Sequence, residues 1–211
     1  MREIFETIFI IIYLIYAISA GVYLLKRGKN KPIKYMGIAT LILGIGDSFH
    51  LIPRILNNIV AGDYTSYLGY GKLITSITMT IFYILLYYVY QMNYEVKNKK
   101  GYQIAIWILA ITRIILCLFP GNNWGTNNSE QIWTIIRNIP FIILGLIISS
   151  LYYQLRNKNH TFKYIWFYIV LSFMFYIIVI SGSYIPLLGL FMIPKTICYM
   201  LIILCFIKKI R

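Results

Sequence analysis

The chain has 211 residues, 60% of them hydrophobic and only 12% charged, yet its formal net charge is +14. A mean hydropathy of +0.73 with half the ~25% charged residues usual in soluble domains excludes an ordinary water-soluble fold. Apolar runs of about 20 residues, enough to cross a hydrocarbon core, recur from end to end, and nothing between them is long enough to fold separately. The chain therefore reads as one integral membrane domain over residues 1–211.

Seven helices are predicted, at about 4–25, 35–57, 69–92, 102–120, 132–154, 162–182 and 186–207, forming an all-α polytopic bundle. The first has Ala17-Ile18-Ser19-Ala20 near its end, as a signal peptide would, but Glu3 and Glu6 precede it and its basic cluster follows. That polarity is the reverse of a signal peptide, so an uncleaved span is expected. Breakers fall at the joints: Asn57-Asn58 through Gly62-Asp63, Pro120-Gly121-Asn122-Asn123, and Ser181-Gly182-Ser183.

Basic residues are confined to alternate joints. Lys26, Arg27, Lys29, Lys31 and Lys34 follow the first helix; Lys97, Lys99 and Lys100 follow the third. Arg156, Lys158 and Lys163 follow the fifth, and Lys208, Lys209 and Arg211 close the chain, whereas 58–68, 121–131 and 181–185 hold no Lys or Arg. Lys and Arg concentrate in cytoplasmic loops, so the expectation is an outside N-terminus, a cytoplasmic C-terminus and residence in the cell (plasma) membrane. Topology and anionic lipid headgroups account for the basic loops, and nucleic acid is not needed as a partner. Tyr64, Tyr67, Trp124, Trp133 and Tyr184 would mark the outer interface; Tyr87, Tyr88, Tyr90, Tyr152, Tyr153 and Tyr164 the inner one.

Apart from Glu6 and Lys163 in the first turns of theirs, six charges fall inside the predicted spans: Asp47, Arg54, Lys72, Arg113, Arg137 and Lys195. A charge in the bilayer core costs roughly 3 kcal/mol or more, so such residues pair, line water or meet a ligand. One acid cannot neutralise five bases, and the surplus calls for an anion. In the second helix Asp47, His50 and Arg54 share one face at i, i+3 and i+7, with Thr40 a heptad before Asp47. Pro53 frees the carbonyl one turn earlier, which then needs another partner. Arg113 and Lys195 fall near the midplane; Arg54, Lys72 and Arg137 lie closer to the outer surface, where snorkelling is the alternative to lining a cavity.

Lys195 follows Pro194, with Tyr199 one turn on, so Ile52-Pro53-Arg54 and Ile193-Pro194-Lys195 repeat one pattern in two helices. Arginine forks suit phosphate or carboxylate. Asp47 and His50 are the one acid/base pair in the group, able in principle to activate a water; a structural salt bridge from Asp47 to Arg113 or Lys195 is the competing account. Tyr168, Ser172 and Tyr176 form a hydroxyl stripe read as interhelical glue. One His and one Asp fall short of a zinc site, and no cofactor is expected. Cys117, Cys198 and Cys205, odd in number and in apolar segments, form no disulfide framework.

The stretch Gly46-Asp47…Leu51…Pro53-Arg54, with Lys31-Pro32 before it, resembles the lysoplasmalogenase family of small polytopic membrane hydrolases. The resemblance covers one helix and implies Asp47 as an active-site acid. The family usually has a further helix and a Ser-His pair where this chain has Gly71-Lys72. A lysine in the seventh helix is also similar to the microbial rhodopsins, but Phe191 stands where they carry an acid and the third helix has none.

The expected function is therefore binding or transport of an anionic ligand, a lipid headgroup or a small anion, in an outward-facing basic cavity. Arg54, Lys72, Arg113, Arg137, Lys195 and Tyr199 would be the ligand-binding residues. The alternatives are a lysolipid hydrolase using Asp47 and His50, and a non-catalytic scaffold with structural charges.

Overall fold

A computed structural model describes residues 2–60, 62–94, 100–126, 130–181 and 186–210. Lys97, Lys99, the Gly182-Ser183 joint, Tyr184 and Arg211, all used in the sequence reading, lie outside the described residues. The described residues are helical and contain no strand. The helices are α1 (Arg2–Arg27), α2 (Lys31–Ile59), α3 (Thr65–Tyr94), α4 (Lys100–Leu118), α5 (Gln131–Gln154), α6 (Ile165–Ser181) and α7 (Met192–Ile210). Together with short flanking turns they give seven segments long and apolar enough to cross a membrane.

Helices α2 and α3 each start four residues before the predicted boundary. The prediction followed apolar residues, whereas backbone hydrogen bonding carries the helix into its polar ends. Pro32 favours the earlier start of α2, because a proline in the first turn has no amide to leave unsatisfied. Asp63 accepts the Thr65 amide at 2.9 Å where α3 begins. Helix α4 stops at Leu118, just before Phe119, whose place ahead of Pro120 disfavours helical backbone. Helix α7 starts later than expected, because Pro186–Phe191 winds as 3-10 turns.

The seven helices close into a ring. Each packs on its neighbour in sequence, α7 closes against α1, and α3 also reaches α5 across the middle. At the end bearing the lysine-rich joints the interior is solid, with Leu43, Leu86, Val89, Ile148, Ile202 and Phe206 fully buried. Tyr87, Tyr90 and Tyr152 belong to this core rather than to an interfacial belt, while Tyr88, Tyr153 and Tyr164 remain open. Burial of Tyr152 is possible because its hydroxyl donates to the Leu86 carbonyl at 3.1 Å, and Tyr87 accepts from Gln91 at 2.8 Å. The outer surface is the reverse of a soluble protein: Ile4, Ile8, Ile11, Ile15 on α1 and Ile104, Ile108, Ile111, Ile115 on α4 are all exposed.

The closest helix contact is between α2 and α3. A Cβ on Gly71 would collide with the carbonyl of Phe49, and one on Gly46 with the Thr78 side chain. Phe49 is the residue whose carbonyl Pro53 leaves without its helical donor. Glycine at 71 lets α3 approach that carbonyl more closely than any residue with a Cβ could. Pro194 has no equivalent effect. It lies in the first turn of α7, where the 3-10 turns of Pro186–Phe191 pass into α-helix, rather than inside a continuous α-helix as Pro53 does, so the two Ile-Pro-basic repeats are not structural counterparts. Pro140, unremarked in the sequence, is instead the second proline inside a helix.

Candidate functional site

At the end of the bundle whose joints lack Lys and Arg, the ring opens around a cavity of about 520 Å³. All six intramembrane charges line it, together with His50 and Tyr199. Arg54, Lys72 and Arg137, for which snorkelling was the alternative, are therefore on the same wall system as Arg113 and Lys195. The floor is aromatic. Phe82, Tyr83, Phe141, Phe173 and Tyr199 meet at centroid separations of 5.0 to 6.5 Å, and this cluster joins the cavity's base to the solid core.

Asp47 is satisfied from α1. Asp47 accepts a hydrogen bond from the Tyr13 hydroxyl at 2.5 Å, both groups being buried. Among the described residues neither Arg113 nor Lys195 forms the ion pair with Asp47 that sequence suggested. Glu6 pairs with Arg54. It is thus a second acid of the cavity, so the lining carries five basic and two acidic side chains among the described residues. A surplus of three positive charges stands, rather than the four expected from Asp47 alone. Glu6 and Tyr13 were missed because partners on another helix leave no spacing signal, although both lie in the predicted first span.

The bases are held over rings. Arg113 is 2% exposed, with its Cζ 3.2 Å from the centre of the Phe141 ring. Its Nε and one terminal nitrogen are buried without a hydrogen-bond partner in the structure. Lys195 Nζ lies 4.2 Å from the Tyr176 ring centre and 5.8 Å from that of Tyr199. Arg137 sits 4.6 Å over Trp124 and donates to Asn122 Oδ1 at 2.5 Å. Aromatic faces attract cations, by about 2 kcal/mol or more where water is excluded, but offer no hydrogen-bond acceptor along the N–H directions.

Asn122 is the least anticipated member of the site. It is fully buried, and its amide nitrogen reaches the carbonyls of Leu116, Cys117 and Phe119 at 2.8, 3.3 and 2.9 Å, closing the end of α4. That orientation turns its oxygen towards Arg137. The left-handed backbone of Asn123, φ 46°, turns the chain so that Trp124 can donate to the Cys117 carbonyl at 2.8 Å. Trp124 is consequently a wall of the cavity rather than only an interfacial anchor. The Asn-rich joint was read as a helix breaker, and its inward-facing role had no sequence signature.

His50 does not bond to Asp47. The Thr75 hydroxyl donates to the Gly46 carbonyl at 3.0 Å, so its oxygen is left to accept from His50 Nδ1 at 2.8 Å. This network assigns the Nδ1–H tautomer to the neutral ring and leaves Nε2 as an acceptor. Thr40 does not extend the site: its hydroxyl bonds back to the Met36 carbonyl within its own helix. Of the α6 stripe, Tyr176 donates to Asn138 on α5 at 2.8 Å and also lines the cavity, combining the expected glue with a place in the wall. No group of three His, Cys, Asp or Glu side chains comes together among the described residues.

Comparison with family models, with curated proteins and with solved structures found no match. The site must therefore be interpreted from its own chemistry.

Tyr13→Phe removes the hydroxyl donor to Asp47 and is expected to cost about 1–3 kcal/mol, because a carboxyl that is largely buried loses the hydrogen bond that satisfies it. Tyr16→Phe, which only removes a bond of 3.0 Å to the Met200 carbonyl, should cost less. Thermal unfolding of the two variants in one detergent gives the comparison, and equal losses would contradict the special place of Tyr13.

Proposed function

We propose that the chain is a multi-pass protein of the cell membrane, N-terminus outside and C-terminus cytoplasmic, whose outward-opening cavity binds or carries an anionic ligand. The carrying observation is Arg113: a guanidinium 2% exposed, with two nitrogens lacking a hydrogen-bond partner, in a lining with a surplus of positive charge. Burying an uncompensated charge costs several kcal/mol, and an anion supplies both the countercharge and the acceptors. The ligand is a lipid headgroup or a small anion. Because the floor is packed aromatic, the arrangement suits a receptor or an alternating-access carrier rather than an open pore.

The orientation rests on the Lys/Arg asymmetry of the joints. In a chain freed of its native cysteines, Asp63→Cys should react with a membrane-impermeant maleimide added to intact cells, and Lys158→Cys only after lysis. The opposite pattern would overturn the orientation.

Neutral substitution of Arg113 provides the test of binding. Arg113→Gln protein, inserted and folded, is expected to lose at least tenfold in affinity for an anion that protects the parent chain from thermal unfolding. Unchanged affinity would remove the cavity from consideration.

A second reading is a lysoplasmalogenase-like hydrolase, favoured by one specific arrangement: Asp47 and His50 both face the cavity, and the Thr75–Gly46 chain leaves His50 Nε2 as an acceptor. His50 would take a proton from water, and the basic side chains would hold the substrate's phosphate. Purified protein should then release aldehyde or glycerophospho-product from a lysolipid panel, with Asp47→Asn and His50→Gln each at least a hundredfold slower. Absence of product across the panel, or full activity in both variants, would dismiss this reading.

A further inference from the structure

The cavity wall is divided. Along α3, α4, α5 and the 119–126 turn it presents Lys72, Arg113, Arg137, Thr75, Ser76 and Asn138. Along α1, α6 and α7, which are neighbours on the other arc of the ring, it presents Phe9, Ile10, Val179, Ile180, Met192 and Ile193, interleaved with Glu6, Tyr13, Tyr176, Lys195, Thr196 and Tyr199. Five of those six apolar side chains are only half-buried; Ile10 alone is fully buried. They belong neither to the packed core nor to the exposed outer surface. With four of the five cations on α2 to α5 and these six apolar side chains gathered on α1, α6 and α7, the lining matches a ligand with a charged end and an apolar body.

Size and charge narrow the class. About 520 Å³ lies within the roughly 300–1,000 Å³ of pockets that take drug-sized ligands. A lone inorganic ion, a few times the ~30 Å³ share of a water molecule, would touch only part of such a wall. The surplus of three positive charges exceeds what one carboxylate or phosphodiester can balance. A zwitterionic headgroup would add a cation to a lining already in positive surplus, where Glu6 is engaged by Arg54 and Asp47 holds Tyr13. A terminal phosphate carries roughly two negative charges at neutral pH and offers three acceptor oxygens.

Resting on the reading that the cavity takes an anion, we propose that its ligand is a single-chain amphiphile ending in a phosphate monoester or diphosphate. The phosphate lies against Arg113, Arg137 and Lys72, and the chain lies along the Phe9–Val179–Ile193 arc. The polar end is buried deeper than a headgroup at the membrane surface. The free ion, the zwitterion and the fatty acid are the competing ligands.

The full chain in nanodiscs of zwitterionic lipid is titrated with dodecyl phosphate, inorganic phosphate, dodecanoate and dodecylphosphocholine, with binding read by intrinsic Trp/Tyr fluorescence and thermal shift. Dodecyl phosphate is expected to bind at least tenfold more tightly than each of the others. Arg113→Gln, with Lys72→Gln as the second variant should the first not fold, should weaken dodecyl phosphate at least tenfold. Ile193→Asn should weaken dodecyl phosphate several-fold and leave inorganic phosphate unchanged. Inorganic phosphate binding as tightly as dodecyl phosphate would overturn the amphiphile while sparing the anion site. Dodecanoate or dodecylphosphocholine binding as tightly would overturn the terminal phosphate. Binding of none of the anions would overturn this proposal and the anion reading together.

Discussion

A guanidinium held out of water with two of its nitrogens lacking acceptors is the constraint to which the rest of this bundle answers. Each unsatisfied buried donor costs about 1–3 kcal/mol, and the charge itself costs more. Arg113 is tolerated because Phe141 lies face-on beneath it at 3.2 Å and because the space beside it is a cavity rather than hydrocarbon. The remaining charges are arranged so that none competes for that space. Glu6 engages Arg54, Tyr13 engages Asp47, and Asn122 engages Arg137. Glu6 cancels Arg54 by direct contact, but Asp47 is held by a hydroxyl rather than by a base, and Arg137 by an amide. The cavity thereby retains its positive field, which in a low-dielectric surround is far stronger than the same charges would produce on a wet surface.

The two ends of the ring are built on different physics. One is closed by interdigitated Leu, Ile, Phe and hydrogen-bonded Tyr, as a soluble core would be. The other is propped open by long cationic side chains that repel one another and by the inward-folded 119–126 turn. The aromatic cluster around Tyr83 separates them. Its edge-to-face contacts combine a dry packing surface below with ring faces that steady cations above. Phe141 and Tyr199 serve both purposes, which explains why the transition from core to cavity needs no intervening layer.

Much of this architecture was legible in the sequence. Seven apolar runs, their breakers and the alternating Lys/Arg joints are one-dimensional signals that backbone hydrogen bonding in lipid turns directly into helices. Six of the seven charges on the cavity wall were legible too, since a charge well inside an apolar run is conspicuous; Glu6, in the first turn of its run, was not. What could not be read was pairing. Glu6 to Arg54 and Tyr13 to Asp47 span 48 and 34 positions, and no periodicity links residues on different helices. Buried tyrosines were mistaken for interfacial ones for the same reason: whether a phenol finds a donor or acceptor depends on the neighbouring helix. Asn122 illustrates the limit best. In sequence it is one more turn residue; only the fold shows three carbonyls fixing its amide.

The placement of those pairs bears on how the chain is made. Membrane helices enter in order of synthesis, and a polar group that meets its partner early does not wait in lipid. Glu6 and Tyr13 lie on α1, and their partners Arg54 and Asp47 on α2, so the two acids are matched within the first hairpin, while His50 meets its partner Thr75 only with α3. The close fit of Gly71 then joins α3 to it. Arg113 has no such early companion: its ring arrives with α5, and the rings beneath Lys195 come from α6 and from α7 itself. Biogenesis of this bundle thus divides into an N-terminal unit of three helices whose acids are matched within the first two and a later half that becomes tolerable in the bilayer only as the cavity closes around it.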